Sequence, residues 1–245
     1  MTAAAICVGA TRSGGRTSRC IDVFLVVMVK SMSAVKLVIF DWDGTVMDSV
    51  GKIVTCVQAA AARLDVTVPA YDEAKQIIGL SLDPAFARLF PSVDAQTRAA
   101  LCEAYKDIYL HHDQTATPLF AGARELFTNL QQQGYLLAVA TGKMRRGLNR
   151  IFEETKTGHF FHTSRCADEA HSKPHPQMLE QILDELKLKP AQAVMVGDTV
   201  HDLAMAHAIQ MPRIGITHGV HKAVDFAPYA PKAVIDSLPE LYAHC

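Results

Sequence analysis

Two carboxylates, Asp41 and Asp43, stand one residue apart at the end of an apolar run, residues 35–40, broken only by Lys36. Carboxylates at a buried strand end repel one another unless something positive lies between them. A divalent cation is the natural partner. A third carboxylate, Asp198, closes a second apolar run at residues 193–197, and Asp202 follows it by one helical turn. Oxygen donors with no His or Cys beside them favour Mg2+, which keeps waters and binds through a few carboxylates together with substrate phosphate. Two further polar groups, Thr141 and Lys173, sit at comparable places in the pattern. Each has an ordinary reading: turn chemistry for Thr141 before Gly142, a solvated loop lysine for Lys173 before Pro174. Asp198 likewise suits a helix N-cap, and Asp202 the first turn of that helix.

The elements that must hold these groups follow from periodicity. Residues 35–40 read as a parallel strand covered on both faces, with Asp41 at its carboxyl end, where open α/β sheets bind ligands. Gly44 lets the chain turn straight after the carboxylates. Residues 48–118 then read as four helices with no strand: 49–65 capped by Asp48 or Ser49, 72–78 ended by Gly79, one opening on Asp83-Pro84 with proline at the first position, and 94–111. From residue 119 the chain alternates, with helices at 122–133, 145–154, 176–188 and 199–208. Strands are expected at 135–140, 160–163, 193–197, 213–217 and 233–235. The expected fold is therefore α/β, a Rossmann-like parallel sheet core formed by residues 33–47 and 119–245, with an inserted helical-bundle cap at 48–118.

The chain has 245 residues, 49% of them hydrophobic, enough for a full core. Lys and Arg number 24 against 25 Asp and Glu, so no basic field gathers nucleic acid or anionic membrane, and an anionic substrate must be held locally. The six cysteines are scattered without a CxxC pair, which argues against zinc or a disulfide framework and fits a reducing, cytoplasmic setting. No apolar run has the length of a membrane span. Residues 1–32 are small, basic and then briefly apolar; they are expected to form a disordered extension, upstream of a start at Met28 or Met32.

In their order, these residues resemble the haloacid dehalogenase-like superfamily of phosphohydrolases. Its motifs match Asp41-Trp42-Asp43-Gly44-Thr45, Thr141-Gly142, Lys173-Pro174 and Gly197-Asp198-Thr199-Val200-His201-Asp202. A helical insertion right after the first motif resembles the cap of the phosphoglycolate phosphatase-like branch. The resemblance implies that Asp41 attacks phosphorus to give an aspartyl-phosphate while Asp43 serves as general acid and then base. Magnesium would be held by Asp41, the backbone carbonyl of Asp43 and Asp198, with Asp202 supporting it directly or through water. Thr141, Gly142 and Lys173 would hold phosphoryl oxygens.

Gly79-Leu80-Ser81, between two cap helices, resembles the family's specificity loop, although a helix C-cap and plain loop explain it equally. Arg88 and Lys106 are further anion-binding candidates, each with surface solvation as the simpler reading. His218 and His221 suggest a metal pair with nothing else beside it. His111 and His112 close a helix where the dipole favours them, and His175 and His201 flank motif residues. The expected activity is Mg2+-dependent hydrolysis of a small phosphorylated metabolite, phosphoglycolate-like or a sugar phosphate, by a monomer or homodimer. The alternatives are a sugar-phosphate mutase, a carbon-halogen hydrolase that Asp43 and Asp198 argue against, and a catalytically idle phosphoaspartyl binding protein.

Overall fold

A computed structural model describes residues 35–244. The expected extension at 1–32 lies outside the described residues. Strand β1 (Leu37–Phe40) is fully buried and pairs in parallel with β2 (Leu136–Ala140) on one side and β4 (Ala193–Gly197) on the other. With β3 (Thr163–Arg165), β5 (Arg213–Ile216) and β6 (Ala233–Ile235) they form one six-stranded parallel sheet in the order β3-β2-β1-β4-β5-β6. The strand order reverses between β1 and β4. In open sheets that reversal opens a crevice at the carboxyl ends, and here it lies between Asp41 and Asp198.

Alternate residues of each central strand face opposite layers, as strand geometry requires. Val38 and Phe40 of β1, Leu137 and Val139 of β2, and Val194 and Val196 of β4 enter one core with α5 (Ala123–Gln132) and α6 (Arg145–Thr155). Leu37, Ile39, Ala138, Ala140 and Met195 enter a second core under α7 (Gln177–Leu186) and α8 (Val200–Ala208). Trp42 continues the alternation inward: it is fully buried, edge-on to Phe152 at 5.3 Å and to Phe161 at 5.9 Å, so its two aspartate neighbours face away from that core.

The insertion builds a third core of its own. Helices α1 (Val50–Arg63), α2 (Tyr71–Lys75), α3 (Leu82–Leu89) and α4 (Ala95–Asp107) pack Val54, Val57, Ile77, Phe86 and Leu101 together, and a π-helical turn, Ile108–His112, extends α4. No helix among the described residues is long and apolar enough to cross a membrane.

Four local expectations are corrected. The strand expected at 160–163 forms instead at Thr163–Arg165, after a 3-10 turn at Gly158–Phe160. Phe160 and Phe161 are apolar because they join Phe127 and Phe152 in an aromatic cluster, and the polar residues that follow are tolerated because β3 is an edge strand. Helix α3 begins at Leu82, one turn position before Asp83, so Pro84 is its third residue; a missing N–H is harmless there because first-turn amides have no intrahelical acceptor. Ser49 precedes α1 without capping it through its side chain, because its hydroxyl is used elsewhere. Helix α8 is capped by Thr199 rather than Asp198: Asp202 N–H donates to Thr199 Oγ1 at 3.4 Å and Thr199 N–H to Asp202 Oδ2 at 3.1 Å.

Candidate active site

The strand ends bring the predicted acids together. Asp41 follows β1, Asp198 follows β4 and Asp202 lies in the first turn of α8; one oxygen of each falls within 4.8 Å of the others, and all three are buried. Lys173, from the loop before α7 and fully buried, reaches under them with Nζ 2.7 Å from Asp41 Oδ1 and 2.6 Å from Asp202 Oδ1. The Lys173-Pro174 peptide bond is cis. Asp202 is fully engaged: its other oxygen accepts from the Thr199 amide and hydroxyl. Thr45 Oγ1 donates to Asp198 Oδ1 at 2.7 Å and accepts from Asp198 N–H at 3.0 Å, while Val220 N–H donates to Asp198 Oδ2. Asp41 Oδ2 has no hydrogen-bond partner among the described residues.

These contacts set the electrostatics. Burial raises the Asp41 carboxyl well above its ordinary value, Asp202 and Asp198 repel its charge further, and Lys173 opposes them. Burial, then Asp202, pushes Asp198 up to about 7, against the hydrogen bonds from Thr45 and Val220. Burial disfavours the charge on Lys173, but its two ion pairs outweigh that and raise its pKa. One lysine among three buried carboxylates leaves the cluster short of positive charge. A cation fits that deficit, and the all-oxygen donors with the unpartnered Asp41 Oδ2 suit Mg2+.

Asp43 stands apart from this cluster. Its Oδ1 accepts from Ser49 Oγ at 2.6 Å and from Lys143 Nζ at 2.9 Å, which leaves Oδ2 free of both donors. Lys143 stays charged despite burial because Asp43 and the Tyr109 hydroxyl both favour the cation. Neither Lys143 nor Ser49 is marked by the sequence motifs. Lys143 directly follows Thr141-Gly142, and that adjacency is the signal that could have found it.

Above the strand ends lies a cavity of about 1130 Å³ between core and cap, with Asp41, Asp43, Gly142 and Lys143 on its core side. Thr141, Lys173, Asp198 and Asp202 lie beneath that floor, buried. Gly79 and Leu80 line the cavity and press on Gly142, where a Cβ would stand 2.7 Å from the Leu80 carbonyl oxygen, so only glycine fits. Ser81 turns away; its amide donates to Ser172 Oγ at 2.9 Å. Lys106 and His111 line the cavity, Arg88 does not. His218 stacks on Phe120 at 3.7 Å and His221 bonds Gln76, so the two do not form a metal pair. His175 is exposed and His201 is buried against His221, neither at the cavity.

The family model for haloacid dehalogenase-like hydrolases matches residues 38–216. This chain belongs to that family. It is 33% identical over 210 residues to a Dickeya dadantii protein named "Probable phosphatase IndB", covering 84% of this chain and 91% of the relative. It is 25% identical over 218 residues to a phosphoglycolate phosphatase of Vibrio cholerae, covering 86% and 96%. A crystal structure described as a haloacid dehalogenase-like hydrolase, from Bacteroides fragilis, superposes with a TM-score of 0.80 at 26% identity, over 85% of this chain and all of that one. The parallel sheet and inserted helical cap are thus those of the family.

Proposed function

We propose that the protein is a Mg2+-dependent phosphatase acting on a small phosphorylated metabolite through an aspartyl-phosphate on Asp41. The observation that carries this is the asymmetry of the Asp41 carboxylate: Oδ1 is ion-paired with Lys173, and Oδ2 has no partner among the described residues. Asp41 Oδ2 attacks phosphorus, forming a new P–O bond as the ester P–O bond breaks. Asp43 gives its proton to the departing alkoxide. The Asp43 carboxylate then takes a proton from the water that attacks the aspartyl-phosphate, and phosphate leaves with Asp41 restored.

Ser49 and Lys143 hold Asp43 Oδ1, so the proton moves at Oδ2. Thr141 and Gly142 supply a hydroxyl and an amide to phosphoryl oxygens, and Lys173 supplies charge beside the nucleophile. Mg2+ would be held by Asp41, Asp198 and the backbone carbonyl of Asp43, with Asp202 behind them; bound there, it neutralises charge shared by the nucleophile and the phosphoryl oxygens. Asp202, engaged by Lys173 and Thr199, chiefly fixes the lysine.

The relatives' names make phosphoglycolate a first candidate substrate, with sugar phosphates beside it. The buried free thiols Cys56, Cys102 and Cys166 support a cytoplasmic setting. The test is phosphate release from para-nitrophenyl phosphate with Mg2+ or with a chelator. Hydrolysis dependent on Mg2+ and abolished in Asp41→Asn supports the reading; a variant as active as wild type refutes it.

A further inference from the structure

The cap side of the cavity is mostly apolar, with Glu103, Lys106 and His111 as its charged or titratable members. Ile53 of α1, Leu80 and Leu82 around the start of α3, Tyr105 of α4 and Leu110 of the π-helical turn line it, and Met144 faces it from the core. Leu110 is 40% exposed and Met144 46%, so two large hydrophobic side chains are left partly in water at this one cavity. Tyr105 packs against Phe86 at 5.9 Å and Tyr109 at 5.7 Å, giving an aromatic row that leads from Lys143 into the cap. Burial raises the Tyr105 phenol above its ordinary value, so it remains a hydrogen-bond donor.

Charge is divided unevenly between the two walls. Among the described lining residues, Lys106 is the lysine or arginine contributed by the cap, and it is engaged by Glu103, also in the lining, at 2.6 Å. Lys143 is engaged by Asp43. Arg145, Arg146 and Arg150 line the cavity from the core side, Arg145 paired with Glu169 and Arg150 with Glu154, so the cations that could meet a substrate carboxylate lie there and not on the cap wall. The volume, about 1130 Å³, exceeds the roughly 300–1,000 Å³ that enclose much larger ligands than a two-carbon acid.

Resting on the phosphatase reading, we infer that the substrate is a phosphate monoester whose alcohol carries a ring-sized apolar body, seated against Leu80, Leu82, Tyr105, Leu110 and Met144.

The test compares 2-phenylethyl phosphate with ethyl phosphate and phosphoglycolate in the presence of Mg2+. The first pair has similar leaving groups, so their ratio reports the apolar body alone. Wild-type kcat/KM is expected to favour 2-phenylethyl over ethyl phosphate by roughly tenfold or more, the value of burying a ring, and to favour it over phosphoglycolate. Leu110→Lys and Met144→Lys, at exposed positions, are each expected to lower the phenylethyl-to-ethyl ratio at least about threefold. Equal rates for the two alkyl esters, a ratio unmoved by both variants, or a preference for phosphoglycolate overturns the inference. Calorimetry with 2-phenylethylphosphonate and ethylphosphonate measures the same preference without turnover. If para-nitrophenyl phosphate is also untouched, the phosphatase reading fails by itself, and equal binding of the two phosphonates still decides against the apolar site.

Discussion

On the core side of the cavity the buried polar groups are tied together: Lys173 to Asp41 and Asp202, Thr199 to Asp202, Thr45 and Val220 to Asp198, Ser49 and Lys143 to Asp43. On the cap side the wall is mostly apolar, with Ile53, Leu80, Leu82, Tyr105 and Leu110 beside Glu103, Lys106 and His111. On the proposed function, the difference separates two tasks. Groups that handle developing charge must be oriented before substrate arrives, so they sit on strand ends and are fixed by partners. Groups that choose the alcohol need only exclude water and fit its shape, so they sit on an insertion that can vary without disturbing the sheet.

The comparison breaks first at the nucleophile. Asp41→Asn is expected to lower kcat by on the order of 10⁴-fold or more with the fold retained, read by steady-state kinetics beside circular dichroism. If the floor is a coupled unit, Lys173→Met should damage stability as well as turnover. It removes the one cation between Asp41 and Asp202, and breaking a buried pair from one side costs about 3–5 kcal/mol, measurable by urea unfolding. Added Mg2+ should recover part of that loss. An unchanged unfolding midpoint would show that the floor is not held by this lysine.

Lys143→Met sharpens the division, since Lys143 belongs to the floor yet touches the cap through Tyr109. It is expected to lower kcat by roughly 10- to 100-fold through loss of Asp43 positioning, with a smaller change in KM. A change confined to KM would move Lys143 to the substrate-selecting wall.

The smallest effect is a pH dependence. The folded-state pKa of Asp198, about 7, lies above its ordinary 3.8. A raised carboxyl pKa means that the metal-free fold holds a proton the unfolded chain has released. That contribution to stability is complete below about pH 4 and lost as pH rises toward about 7. With Mg2+ bound in place of the proton the loss should vanish. Thermal melts between about pH 5 and pH 8, with chelator or with Mg2+, measure it; identical pH profiles in both would contradict a cation at Asp198.

Much of the floor is legible in the sequence because it is local: an apolar run ending on Asp41, and another ending on Asp198, state both the strand and what its carboxyl end carries. The cap helices are legible for the same reason, through their 3.6-residue spacing. Three features are not, since they depend on tertiary placement. Ser49 reads as a helix cap, yet its hydroxyl goes to Asp43 because the turn at Gly44 folds the chain back. Phe160 and Phe161 read as a strand, yet they serve the aromatic cluster around Phe127. Lys143 and Tyr109 are 34 residues apart in sequence and meet only when the cap lies over the sheet.

The account depends most directly on a phosphoryl group passing through Asp41. Asp43→Asn, mixed with para-nitrophenyl phosphate and Mg2+ and quenched in acid, can still expel a good leaving group but lacks the base for the second step. Mass spectrometry of its peptides should find one phosphoryl group on Asp41, discharged by hydroxylamine. Wild-type turnover with the label absent, or carried by any other residue, would contradict the account.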